Sequence, residues 1–416
     1  MGSNGARDTN STIGPPLRVL ILQDHLRENG GLRVVHDLAS RMQGDVTRAT
    51  MFVLQSHSDP PVFSPSARVP VVFGVSRRRP LRWAIPIGLF RLGREARHYD
   101  VLVSGSEIGY TFLLGGLIAK VLGKPYVVVV QSPVEAAITT WMPKPLQSPT
   151  RMLIGRVDAA ICVADGLVSG VTDAGLDRDQ VFVLPVGIDV ERARLLATEP
   201  ANFATPTGRY VVAAGRLSEQ KGFDLLIRAH ASIQNDTQRS YHLVIAGEGP
   251  DRHLLEGLVE ELGVTDSVWL PGFVDNPHPM LANADLFVLS SRREGMGGLV
   301  LLEALAHGTP IIAADCPTGP RELLDDGGLG ELVPTDDVEA LAAAMLRHWQ
   351  EPTELRRRAS GGPEQARNFD PDDAAIQFAL ILLNVERLRR SRRRWFSRFR
   401  QRNALDEGPE AVARGC

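Results

Sequence analysis

Two carboxylates, two cations and a set of glycine turns are the residues of this chain that could do chemistry. Glu294 and Glu303 bracket the stretch E-G-M-G-G-L-V-L-L-E, in which Gly295, Gly297 and Gly298 fall among four residues. Leu299, Leu302, Leu305 and Ala306 follow at helical spacing, and Gly308 and Pro310 stop that helix. Apolar runs at 285–289 and 311–314 read as the strands on either side. A glycine loop that opens a helix exposes unpaired N–H groups at the positive end of the helix dipole, which suits a diphosphate. Carboxylates so close to phosphates make sense as acceptors for sugar hydroxyls on either side of it. Taken alone, the pattern fits an ordinary strand, loop, helix and strand with a solvated Glu294 equally well.

The cations are Arg216 and Lys221, in the turn G-R-L-S-E-Q-K-G at 215–222. This turn follows an apolar run at 210–214. Gly247 opens G-E-G-P after a run at 243–246, and P-G-F-V, with Phe273 and Val274, follows the run 268–270. Ligands of open α/β sheets bind beyond the carboxyl ends of the strands, so four such turns converge on one rim. Arginine and lysine beside glycine turns at that rim favour a phosphate over plain surface solvation.

The elements that position these residues are strands alternating with helices, the mark of parallel sheets with covered faces. The chain has 416 residues, 44% of them hydrophobic and 23% charged, which is globular and long enough for two domains. In the first half, runs at 17–23, 51–54, 71–73, 101–104, 126–130, 159–163 and 181–184 read as strands. A Gly30-Gly31 loop precedes a helix over 32–42, and an apolar helix is expected over 110–122. The G-x-G-x-x-G spacing of dinucleotide binders is missing, which counts against a dehydrogenase. A Pro, Thr and Ala-rich stretch at 197–208 reads as a linker, and a fresh α/β series follows it. The expected organisation is a disordered tail (1–16), a Rossmann-like domain (17–196), the linker, a second such domain (209–371), a helix (372–390) and a basic tail (391–416).

Net charge is −3, near neutral, which says nothing about nucleic acid, but the charge is unevenly placed. The cysteines, at 162, 316 and 416, are far apart and odd in number, which suits a reducing cytoplasm. No metal-ligand spacing is visible, and residues 1–16 lack a signal-peptide core. The apolar runs at 112–118 and 376–383 are too short to span a bilayer.

Together these motifs resemble the retaining, nucleotide-sugar-dependent glycosyltransferases of family 4, which have the GT-B fold. The resemblance runs from about 17 to 388 and is strongest over 210–333. It rests on G-R-L-S-E-Q-K-G, G-E-G-P, L-P-G-F-V and E-G-M-G-G-L-V-L-L-E-A-L-A-H-G-T-P, with the Gly30-Gly31 turn and P-V-G-I-D at 185–189 in the first half. It implies two Rossmann-like doubly wound domains facing across a cleft, with a last helix crossing back to the first. It also implies roles. Arg216 and Lys221 would hold the donor diphosphate, with Gly215 and Gly247 shaping the rim. Glu294 would bind the donor sugar, helped by the N–H groups of Met296, Gly297 and Gly298. Glu303 would bind the ribose, the backbone at Phe273 and Val274 would meet the base, and Gly30 and Gly31 would let the first domain approach the phosphates. Charge that builds on a leaving diphosphate is stabilised by such fixed cations and N–H groups, so no metal or other cofactor is expected. Two departures stand out. Eight residues separate the two glutamates where members usually have seven, and Gln131 stands where many members have a histidine beside the donor sugar.

Two segments bear on the acceptor. Arg77, Arg78, Arg79, Arg82, Arg91, Arg94 and Arg97 interleave with Trp83, Phe90 and aliphatic residues, and 387–402 holds nine arginines with Trp395, Phe396 and Phe399. Both suit an anionic membrane face, and a solvated cationic surface is the other reading of each. No nucleic-acid recognition fold accompanies them. The expected activity is transfer from a UDP-sugar, an N-acetylhexosamine or hexose, to a lipid-linked or cell-surface glycan precursor. The segment 316–323, C-P-T-G-P-R-E-L, resembles members that use N-acetylhexosamine donors. A soluble enzyme acting on a small molecule such as an aminocyclitol, in antibiotic biosynthesis, and a non-catalytic sugar-nucleotide binding module are the alternatives. The expected location is cytoplasmic, with peripheral contact to the inner membrane face.

Overall fold

The computed structural model describes residues 15–26, 30–56, 63–76, 80–200, 206, 208–236, 241–295 and 298–406. Two parallel sheets organise them. The first has seven strands: β1 (Leu17–Gln23), β2 (Thr47–Gln55), β3 (Val71–Val75), β4 (Val101–Ser104), β5 (Tyr126–Val130), β6 (Ala159–Cys162) and β7 (Val181–Val183). Their spatial order is β3-β2-β1-β4-β5-β6-β7. The second has six: β8 (Tyr210–Ala214), β9 (His242–Ala246), β10 (Val268–Gly272), β11 (Leu286–Leu289), β12 (Ile311–Ala314) and β13 (Glu331–Val333). These run β10-β9-β8-β11-β12-β13. The central strands are short, β-branched and buried along their whole length, as Tyr-Val-Val-Val-Val in β5 shows. Helices on both faces require this, because neither side of the sheet meets water.

In each sheet the strand order reverses between the first and fourth strands, β1 and β4 or β8 and β11. Ligand crevices of doubly wound sheets form at that place. The turns after β8 and β11 therefore flank the switch point of the second sheet.

Several elements differ from expectation at their ends. The first helix runs Gly30–Arg41, so Gly30 and Gly31 open its first turn rather than forming a loop before Leu32. β2 is longer than its apolar centre because Thr47 and Arg48 pair in register with Leu17 and Arg18. The arginine-rich stretch contains the helix Leu81–Glu95, which holds Pro86. The last helix is one 36-residue element, Pro371–Asp406, without a break between the expected crossover helix and basic tail. Residues 1–14 and 407–416, half of the linker (201–205 and 207), Met296 and Gly297, and Arg77 to Arg79 lie outside the described residues.

The two halves are joined rather than merely tethered. One apolar cluster includes the first sheet together with Leu301, Leu302 and Leu305 of the helix Leu299–His307 and Phe378 and Leu382 of the last helix. Polar contacts add to it. Ile188 N–H donates to Phe369 O at 2.8 Å, the Asn276 amide to Leu196 O at 2.8 Å, and Arg367 pairs with Glu191 at 2.7 Å. Arg41 pairs with Asp372 at 2.7 Å and Arg389 pairs with Asp158, which lays the last helix along the first domain.

Candidate active site

The turn after β8 begins at Gly215, whose φ is +157°, and ends in a 3-10 turn, Glu219–Lys221, closed by Gly222 at φ +61°. A side chain at Gly222 would put its Cβ 2.1 Å from Ser290 O, so only glycine lets this turn lie against the end of β11. Gly247 is under a similar demand, since a Cβ there would stand 1.8 Å from Gly215 O. The two turns are then laced together. Ser290 Oγ donates to Lys221 O at 3.0 Å, Arg292 N–H to Gln220 O at 2.9 Å, and Gln220 Nε2 to Arg293 O at 3.0 Å. Arg292 forks onto both oxygens of Asp224 at 2.8 Å and reaches Asp336 at 2.6 Å. The bond to Asp224 raises the guanidinium pKa, so this clamp stays charged at any ordinary pH.

The lacing brings Lys221 and Glu294 together. Lys221 Nζ lies 2.5 Å from Glu294 Oε1, and Ser291 Oγ donates to the same oxygen at 2.5 Å. The Glu294 side chain is 4% exposed and that of Lys221 16%, so each desolvated charge depends on the other. Thr318 Oγ1 donates to Glu294 O, which ties the C-P-T-G-P turn to the carboxylate's own backbone.

Gly298 stands at the N-cap of the helix Leu299–His307 with φ +75°, and among the described residues no side chain is seen capping that helix start. A Cβ on Gly298 would lie 3.6 Å from both Lys221 Nζ and Glu294 Oε2. The positive end of a helix, its free N–H groups and a lysine ammonium thus share one spot, with a carboxylate beside it. That combination can hold an anion and accept a hydroxyl at the same time.

The other side of that helix start faces a cavity of about 470 Å³. Leu299 and Glu303 line it from the second half, with Asp275, Asn276 and His278; Arg33, Asp189 and Arg192 line it from the first. Lys221 and Glu294 do not line it, so the site has two compartments that meet at 298–299. Glu303 keeps part of its surface in the cavity. Burial pushes its carboxyl above the usual range, and Arg33 partly offsets that. His278 Nδ1 and His307 Nε2 stand 3.0 Å apart, and burial holds both imidazoles down at about 4.

Gln131 faces the site from the end of β5. Its Nε2 donates to Gly105 O at 2.7 Å and Gly31 O at 3.2 Å. Both amide hydrogens are used, so the Gln131 side chain ties two loops together and has only its oxygen to offer a ligand. Its backbone carbonyl abuts Gly295, where a Cβ would come within 2.0 Å. This is the contact of the first domain with the glycine loop. Beneath it lies Glu107, fully buried, accepting from Gln131 N–H at 3.2 Å, with its carboxyl pushed up by desolvation.

Of the remaining expected residues, Arg216 is exposed on the rim, Phe273 is half-buried and Val274 is buried. Gly31 meets Gln131, and Gly30 has open space where a side chain would go. Sequence reasoning missed the parts played by Glu107, Arg292, Ser291, Thr318 and the histidine pair. Among the described residues no group of three or more His, Cys, Asp or Glu could hold a metal.

Comparison with known proteins bears on both halves. The family model described as Glycosyltransferase Family 4 matches residues 29–192, and that described as Glycosyl transferases group 1 matches 198–364. The lipopolysaccharide core biosynthesis glycosyltransferase LpsE of Rhizobium meliloti is 34% identical over 199 residues, 47% of this chain and 56% of that protein. The alpha-D-kanosaminyltransferase of Streptomyces kanamyceticus is 34% identical over 179 residues, 42% of this chain and 45% of that one. The matches thus span about half the length of these relatives. Among solved structures, Anabaena HepE in complex with UDP-glucose aligns with a TM-score of 0.72 at 19% identity, covering 88% of this chain and 100% of that one. The likeness shows the fold: two facing Rossmann-like domains of the GT-B type.

Proposed function

The chain belongs to the family 4 glycosyltransferases, and on that premise we propose that it transfers a sugar, with retention, from a UDP-sugar to a hydroxyl of a lipid-linked or cell-surface glycan precursor. The observation that carries this reading is the Lys221–Glu294 pair against the uncapped helix start at Gly298. The helix N–H groups and Lys221 take the donor diphosphate, with Arg216 closing from the rim. As the sugar–phosphate bond breaks, negative charge collects on the leaving phosphate, and these fixed groups stabilise it without rearranging. The Glu294 carboxylate accepts from a donor-sugar hydroxyl. The acceptor hydroxyl attacks from the face the diphosphate leaves, and its proton passes to the departing phosphate oxygen, so no protein base is needed. That suits a site whose Gln131 cannot act as one.

The cavity beside Glu303 takes the nucleoside. Glu303 accepts from the ribose hydroxyls, and the backbone at 273–276 meets the base. The HepE complex with UDP-glucose supports uracil as that base, and the likeness to LpsE supports a lipid-borne glycan as acceptor. Among the described residues no helix is long and apolar enough to cross a membrane. Contact with a membrane-borne acceptor then falls to surface segments such as 81–95 and the start of the 387–402 block.

A second reading, transfer to a small aminocyclitol-type acceptor, draws on the likeness to the kanosaminyltransferase. The test of both is a screen of UDP-glucose and UDP-N-acetylhexosamine donors against glycolipid and aminocyclitol acceptors, with products read by mass. Transfer to either acceptor class decides between them. Binding of UDP-sugars with neither hydrolysis nor transfer would make the chain a binding module and end the enzyme reading.

A further inference from the structure

A second cavity, of about 410 Å³, lies at the opposite edge of the first sheet from the cleft. It sits beside the starts of β5 and β6, between the helices Tyr110–Leu122 and Lys144–Ile154, and the last helix closes it with Arg389. None of Lys221, Glu294 and Glu303 lines it.

Its lining has two parts. The polar part holds four cations, Lys120, Lys124, Arg156 and Arg389, against one acid, Asp158. That acid is already committed, since it pairs with Arg389 and accepts from Tyr126 N–H at 2.9 Å. Lys124 donates to Tyr99 O at 2.6 Å, which neutralises no charge. Lys120 and Arg156 have no ion-pair partner among the described residues. The cavity therefore carries a surplus of about three positive charges at neutral pH. The apolar part is Leu117, Met152 and Leu153, and Leu153 packs into the space a side chain at Gly116 would need.

The apolar character continues outside the cavity. Leu117 and Met152 are each 50% exposed and Val121 is 71% exposed, on the same two helices. The neighbouring helix Leu81–Glu95, which packs against Tyr110–Leu122, adds Phe90 at 74%. Beyond Arg389 the last helix continues to Asp406 through seven more arginines. A cationic recess edged by exposed aliphatic and aromatic residues, at the point where an arginine-rich helix leaves the domain, matches one chemistry: a phosphodiester on an apolar surface.

We propose that the cavity between Lys120, Lys124, Arg156 and Arg389 binds the phosphodiester head group of an anionic phospholipid, while Leu117, Val121 and Phe90 enter the interfacial layer of the bilayer. This rests on the membrane-facing part of the reading above and not on the transferase part. It places the membrane against the strand-start edge of the first domain, so the cleft opens at the other end of the sheet. An acceptor must then reach the cleft around the domain's side.

The test is flotation of the full chain with vesicles of phosphatidylcholine alone or with phosphatidylglycerol, run beside the Lys120→Ala/Arg156→Ala variant. Each basic residue near such a surface is worth roughly a factor of five, so the double variant is expected to partition about 25-fold less into anionic vesicles. Neither side chain holds a structural bond, so melting temperature and UDP-sugar hydrolysis stay at the unaltered protein's values. Those controls separate this inference from the transferase reading. Glycerol 1-phosphate distinguishes a bilayer lipid from free phosphate: at millimolar concentration it is expected not to displace the protein from vesicles. Unchanged partition of the double variant would overturn the proposal, whatever the arginine-rich helix contributes. So would equal binding to neutral vesicles, or full displacement by glycerol 1-phosphate.

Discussion

The fourth strand of each sheet, β4 and β11, feeds a helix start at its switch point, and the two starts are finished in opposite ways. In the first sheet, Asp24, directly after β1, reaches across to the helix Tyr110–Leu122. Its carboxylate accepts from Tyr110 N–H at 2.9 Å, Thr111 N–H at 2.7 Å and Thr111 Oγ1 at 2.7 Å. In the second sheet, the position after β8 is Gly215, and the helix Leu299–His307 starts at Gly298 without a side-chain cap. The protein's own anion fills the first seat. At the second, the acid is moved aside to pair with Lys221, leaving the N–H groups to a ligand. On the proposed reading, one architecture gives a structural half and a binding half, and the choice rests on where one carboxylate stands.

Predictions that would break or sharpen this contrast run from large to small. Lys221→Ala removes the lysine beside the second helix start. Turnover is expected to fall at least about 100-fold, on the scale of losing one fixed charge-stabilising group. Measured kcat and KM for donor hydrolysis check it. Near-normal activity would remove Lys221 from the phosphate site. Gly298→Asp puts a carboxylate at the second helix start, from the N-cap rather than from the strand end. Its Cβ would stand 3.6 Å from Lys221 Nζ, and Asp tolerates positive φ better than most residues. Donor KM is expected to rise about tenfold or more as the new carboxylate competes for the seat. Asp24→Ala opens the first seat instead. It is expected to cost about 1 kcal/mol of stability, a few degrees in melting temperature, with donor KM unmoved.

The smallest effect is a pH dependence. His278 and His307 titrate near 4 in the folded chain against 6.5 for an ordinary histidine, because burial disfavours their charged forms and the pair and nearby arginines add to it. As pH falls, the unfolded chain takes up protons first. The stability they contribute is therefore full above 6.5 and is lost between 6.5 and 4. Glu303 acts in the opposite sense, since its raised folded pKa favours the folded state at low pH. A His278→Gln/His307→Gln variant isolates the pair: its melting temperature is expected to fall less steeply than the parent's between pH 6.5 and 4.

Much of the frame was legible because the signals are local. The strands at 126–130, 210–214 and 311–314 and the helix at 110–122 fall where apolar runs put them. Their side-chain partners were not legible. Asp24 meets Thr111 across 87 residues, Lys221 meets Glu294 across 73, and Arg292 meets Asp224 across 68. No periodicity encodes such pairings, which depend on strand order. Glu107 gave no signal either, since a lone acid after a strand looks solvated until the fold closes over it. Gln131 shows the limit of a resemblance. The motif marked the position, but only the geometry shows its amide spent on Gly31 and Gly105.

The contrast between the two helix starts is tested most directly by calorimetric titration of UDP into the unaltered chain and the Lys221→Ala and Asp24→Ala variants. The expected result is binding to the unaltered chain and to Asp24→Ala alike, with affinity at least about tenfold lower for Lys221→Ala. Equal affinity in all three, or loss confined to Asp24→Ala, would contradict the assignment of the diphosphate to the helix start at Gly298.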